Sequence, residues 1–124
     1  MQGFEDVTLS WKGESFTVPA NKQMMLIAEI EEALAGPNGD APLTVLFRKS
    51  GVPPTRLANA YAAALKYAGA KVTPEEVYLS MQEDIANSTR EQQAQKQWAT
   101  LVGILSIISP PMAAKITGKD PKKA

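Results

Sequence analysis

The stretch VTLSWKGESFTV, residues 7–18, alternates apolar and polar side chains with a period of two. That is the pattern of strands with one buried and one wet face. Gly13 sits where a tight hairpin turn needs positive φ, and Pro19 stops the ladder because it has no N–H to donate. Everything beyond Gly36 has helical spacing, so this hairpin holds most of the sheet that the chain can build. A lone hairpin is marginal in water and needs a cover. The expected fold class is therefore α+β, an N-terminal β-hairpin packed on a mostly α-helical body.

The cover is the next segment. Leu26, Ile27, Ile30, Ala33 and Leu34 lie on one helical stripe, and Glu29, Glu31 and Glu32 lie on the other side. Asn21 is the expected N-cap, and Gly36 followed by Pro37 ends the helix. A short helix is expected over residues 41–50, with Asp40 as its cap and Leu43, Leu46 and Phe47 as its apolar side. Pro54 then opens an alanine-rich helix over residues 54–68, with Leu57, Ala58, Tyr61, Ala64, Leu65 and Ala68 on its stripe. Thr73, Pro74 and Glu76 have the spacing of a capping box, and Val77, Tyr78, Met81 and Ile85 mark the buried side of the helix that follows. At residues 87–91 either Ser88 with Glu91 caps a new helix or the previous helix runs through.

The polar stretch 90–97 leads into the apolar run 98–108, which Ser109, Pro110 and Pro111 end. Its apolar residues go nearly all round a helix. Such a helix must be covered on all sides. Either it forms the centre of the core, or a partner or a second copy covers part of it through Trp98, Leu101, Val102, Leu105 and Ile108. The chain divides into one α+β domain, residues 1–111, and a basic, flexible tail, residues 112–124, where Lys115, Lys119, Lys122 and Lys123 crowd together.

The 124 residues contain no Cys and no His. Disulfides, thiolate nucleophiles, zinc–sulfur sites and classical nucleophile–His–acid catalysis are thereby excluded. The acid clusters are explained as solvated faces and helix starts, and Gly118-Lys119 lacks the other residues of a phosphate loop. No enzyme activity, cofactor or metal is expected. With 13 Lys and Arg against 13 Asp and Glu, the formal net charge is zero, which gives no long-range pull toward nucleic acid or an anionic membrane. The helix–Gly51–helix corner with Arg48, Lys49 and Arg56 nonetheless has the lengths of a helix-turn-helix. Those three residues are a candidate basic contact patch, although the second helix is mostly alanine. Residues 1–6 lack the pattern of a signal peptide and the run 98–108 is too short to span a bilayer, so a cytoplasmic protein without a membrane partner is expected.

The hairpin VTLSWKGESFTV, the helix LIAEIEEALAG at residues 26–36 and the helical run LTVLFRKSGVPPTRLANAYAAALKYAGAKVTPEEVYLSM at residues 43–81 carry a resemblance. In their order the chain resembles the tail assembly chaperones of long-tailed phages, in particular the gene-transfer-agent and prophage group. The resemblance implies a protein that works in the host cytoplasm and is absent from the finished virion. It implies binding to the tape measure protein and recruitment of tail tube subunits around it, with no chemistry involved. Met24, Met25, Met81 and Met112 would suit adaptable apolar contacts. The other readings are a small helix-turn-helix DNA-binding protein and a structural tail component. Since the apolar face of the hairpin is expected under residues 26–34, the partner surface is expected elsewhere. A hairpin edge left open to another chain would reverse that expectation.

Overall fold

In the computed structural model, which describes residues 4–49 and 51–118, the hairpin forms as its pattern requires. Strand β1, Val7–Trp11, pairs antiparallel with β2, Glu14–Val18, in the register Val7–Val18, Leu9–Phe16 and Trp11–Glu14. Lys12 and Gly13 between them have φ of 48° and 81°, the two positive values of a type I′ turn. Leu9 and Val18 are buried, Val7, Trp11 and Phe16 pack at the core edge, and Thr8, Ser10, Ser15 and Thr17 face solvent. The hydroxyls of Thr8 and Thr17 meet across that wet face at 3.0 Å.

A 3-10 turn, Ala20–Lys22, separates the hairpin from the first helix, α1, Gln23–Ala35. This corrects the cap expected at Asn21, which lies inside the turn. The turn begins with the Ala20 N–H, which donates to Asp6 Oδ1 at 2.8 Å. Leu26, Ile30 and Leu34 are buried, as the stripe predicts, but α1 packs mainly on the helix over residues 54–67. The cover expected for the hairpin from residues 26–34 is thus corrected, since that helix and the one over residues 90–108 lie against the strands instead. Gly36 then takes φ 67° and ψ −170°, a region that other residues avoid.

Helix α2 spans only Pro42–Leu46, with Ala41 as N-cap. The expected helix over 41–50 is thus shorter, and its expected end at Ser50 lies outside the described residues. Asp40 is not a cap because its carboxylate is drawn to two arginines. Val45 and Leu46 are the buried residues here, while Leu43 and Phe47, expected inside, are exposed. Helix α3, Pro54–Tyr67, is the centre of the molecule and packs on α1, on β2 and on two later helices. Ala58, Ala60, Ala62 and Ala64 are buried around it. Their small side chains let neighbouring helices approach on more than one side.

Helix α4, Pro74–Asn87, has Thr73 as its N-cap as expected, with the Glu76 N–H donating to Thr73 Oγ1 at 3.1 Å. The Glu76 carboxylate meets the Thr73 hydroxyl instead of its backbone N–H, so the capping box is only half formed. Helix α5, Arg90–Ile108, is a separate helix with a reciprocal cap of its own. The Gln92 N–H donates to Thr89 Oγ1 at 3.2 Å, and the Thr89 N–H donates to Gln92 Oε1 at 3.0 Å. The cap is therefore Thr89, one residue beyond Ser88. Its C-terminal half packs on α1, α3 and β1. Gly103 makes this possible, since a Cβ there would stand 3.2 Å from Leu9 Cδ2.

Pro110 and Pro111 end α5 but also start a further helix, α6, Pro110–Thr117. A proline loses nothing in a first helical turn, whose N–H groups have no intrahelical acceptor. Ala113 is buried and Met112 and Ile116 pack against the core. A tail beginning at residue 112 is thus corrected, because ordered structure continues to Thr117. Residues 119–124, with Lys119, Lys122 and Lys123, lie outside the described residues. Among the described residues no helix is long and apolar enough to cross a membrane.

Candidate partner-binding groove

The apolar residues of α5 do not share one environment. Ile104, Leu105 and Ile107 are fully buried, Leu101, Val102 and Ile108 are half-buried, and Trp98 is 48% exposed. The helix changes character along its length. Residues 90–99 stand almost wholly in solvent, and the following residues enter the core. The five residues expected to meet a partner are therefore divided. Leu105 is a core residue and is withdrawn from the set, because α5 turns that side against the molecule. Ile108 packs against the core edge, and Val102 is half-buried without contributing to the groove described next. Trp98 and Leu101 stay.

These two form one wall of an open groove of about 500 Å³ between α5, the last turns of α4 and the α2–α3 corner. Its apolar lining includes Leu46, Leu57, Met81, Ile85, Trp98 and Leu101. Ile85 is 40% exposed although its spacing marks it as buried. It lines the groove at the last turn of α4 instead of entering the core. Sequence reasoning missed this groove because its lining comes from separate segments, each of which looks like an ordinary core stripe. The signal was the apolar Met81 and Ile85 running into the polar stretch before Trp98.

Polar contacts hold the groove open at the α4–α5 turn. Gln93 Nε2 donates to the carbonyls of Ile85 at 2.7 Å and Ser88 at 3.2 Å. Lys96 Nζ donates to Ser88 Oγ at 3.0 Å and pairs with Asp84 at 3.3 Å. Both members of that pair are about half exposed, so it adds little stability and serves to set the rim. Gln82 and Gln97 complete a rim of low net charge.

The basic patch is arranged differently from expectation. Arg48 Nη2 donates to Asp40 Oδ2 at 3.0 Å, and Arg56 Nη1 lies 3.7 Å from the same oxygen. The Arg56 guanidinium lies flat against Gly36, where a Cβ would collide with it. Two of the three cations thus face an acid of the same chain, and the third, Lys49, is exposed. The glutamates of α1 are exposed, and among the described residues no group of three or more acidic or other ligating side chains could hold a metal ion. Comparisons with family models, curated proteins and solved structures find no match.

Proposed function

We propose that this chain is a tail assembly chaperone of a long-tailed phage or prophage, acting in the host cytoplasm and leaving before the virion is complete. It holds apolar stripes of the tape measure protein and helps to bring tail tube subunits to it. It uses no cofactor and catalyses no reaction. The observation that carries this reading is the groove: an apolar trough rimmed by glutamines and an internally compensated ion pair, with Trp98 standing on its edge. Its fitting occupant is an amphipathic helix, whose apolar side chains enter the trough while its polar back remains wet. A tape measure protein offers many such stripes, and they aggregate when uncovered. The order of hairpin, first helix and helical body further supports the resemblance.

Co-expression with a tape measure protein tests this reading. The chain is expected to raise the soluble fraction of that protein severalfold, and Trp98→Asp or Ile85→Asp to abolish the effect while leaving thermal stability nearly unchanged. Leu105→Asp serves as the contrast, since it places a charge in the core and unfolds the protein. Folded Trp98 and Ile85 variants that retain full effect would overturn the groove as the site. The DNA-binding alternative has less support, because Asp40 faces both Arg48 and Arg56. Finding the chain in purified tails would favour a structural component instead.

A further inference from the structure

We infer that β2 is a self-association edge, on which a second copy of this chain adds its own β2 antiparallel to form one continuous sheet through both hairpins. This inference does not depend on the chaperone reading. A two-residue turn makes Trp11 and Glu14 a hydrogen-bonded pair, and alternation extends that role to Leu9–Phe16 and Val7–Val18. The backbone groups of Thr8, Ser10, Ser15 and Thr17 must then point away from the hairpin. The close approach of the Thr8 and Thr17 hydroxyls fits their place in a non-hydrogen-bonded pair.

The two outer edges are treated differently. On β1, the Ser10 carbonyl accepts from Tyr61 Oη at 2.8 Å; α5 packs on β1 and α3 on β2, so this hydrogen bond is what sets the edges apart. On β2, Ser15 and Thr17 are exposed, and among the described residues no hydrogen bond reaches their outward N–H and C=O groups. Natural edges are blunted by Pro, Lys, bulges or a covering element. Inside β2 there is no Pro or Lys, the register is unbroken, and the only charge is Glu14 at its end.

The edge is also complementary to itself. With a two-fold axis at Phe16, Ser15 of one copy lies opposite Thr17 of the other, and the two residues exchange both backbone hydrogen bonds. The two Phe16 side chains then face each other in the close pair, where aromatic contact is favourable. Glu14 falls opposite Val18, so no like charges oppose. A five-residue edge is short, and the dimer is expected to be weak and concentration-dependent.

The test is a light-scattering concentration series. The mass should rise toward twice that of the chain, and Thr17→Pro, which removes an outward N–H without breaking the hairpin ladder, should keep it monomeric. Thr8→Pro removes the equivalent N–H on β1 and should still dimerise. Because the chain has no Cys of its own, Ser15→Cys mixed with Thr17→Cys should form a disulfide-linked pair many times faster than either variant alone. This second measurement decides the matter if Thr17→Pro fails to fold. A monomer at every concentration, a dimer indifferent to folded Thr17→Pro, or equal cross-linking of mixed and unmixed cysteine variants would each overturn the proposal.

Discussion

Gln23 is fully buried, and its Nε2 donates to the carbonyls of Glu5 at 3.2 Å and Val18 at 3.3 Å. It ties the open end of the hairpin to α1, and a leucine at the same place would remove both of these bonds. Tyr61 does the same work from α3 with its bond to Ser10. Burial pushes the Tyr61 phenol above its ordinary pKa. The folded state thus holds this proton more tightly than the unfolded chain does. The associated stability is fully present below about pH 10 and is lost as pH rises from there through the folded value. Tyr67 is pushed up as well, by desolvation first and then by Glu29, so two groups contribute to the alkaline loss. Urea unfolding on both sides of about pH 10 should show Tyr61→Phe less stable by about 1 kcal/mol on the neutral side, for the lost hydrogen bond. Its decline on the alkaline side should be shallower than that of the unchanged protein. Parallel declines would show that the Tyr61 proton is not what the fold retains.

Among the elements, α5 is two helices in one. Its first half has its capping box, the Gln93 and Lys96 contacts and its own backbone bonds; its second half has the core. Hydrogen exchange should therefore divide it, with amides of residues 93–99 exchanging through local opening and those of 104–108 only when the whole molecule unfolds. Thr89→Ala should speed exchange in the first half by roughly fivefold, corresponding to about 1 kcal/mol of cap stability, and leave the second half unchanged. Uniform exchange along the helix would contradict this division. The same helix shows where sequence reasoning stops. The apolar stripes of α1 and α3, the hairpin turn and the Thr73 cap are local patterns, and each predicted its element. The partner-facing set on α5 mixed Trp98 with Leu105 because a helix that is apolar all round carries no mark of which side its neighbours take. The start of α6 was missed because Pro110 and Pro111 stop one helix and suit the beginning of another equally well. Asp40 was assigned to a cap because Arg56, its partner, comes sixteen residues later.

At the scale of the whole molecule, the alanine-lined α3 lets α1 and α4 pack close, and the longer side chains of the surrounding elements fill what remains. Both candidate contact regions lie away from this centre, one beside the α4–α5 turn and one on the outer edge of β2. The inner face of the hairpin is occupied from both directions. Leu9 rests on Gly103, so β1 is closed off by α5, far later in the sequence. During synthesis, β1 has to wait until α5 has emerged before its apolar face is covered. Over that interval the newborn chain is vulnerable to proteases and to sticking. A chain released after Asn87 should keep α3 and α4 yet be degraded or precipitate, whereas one extended through α5 should survive.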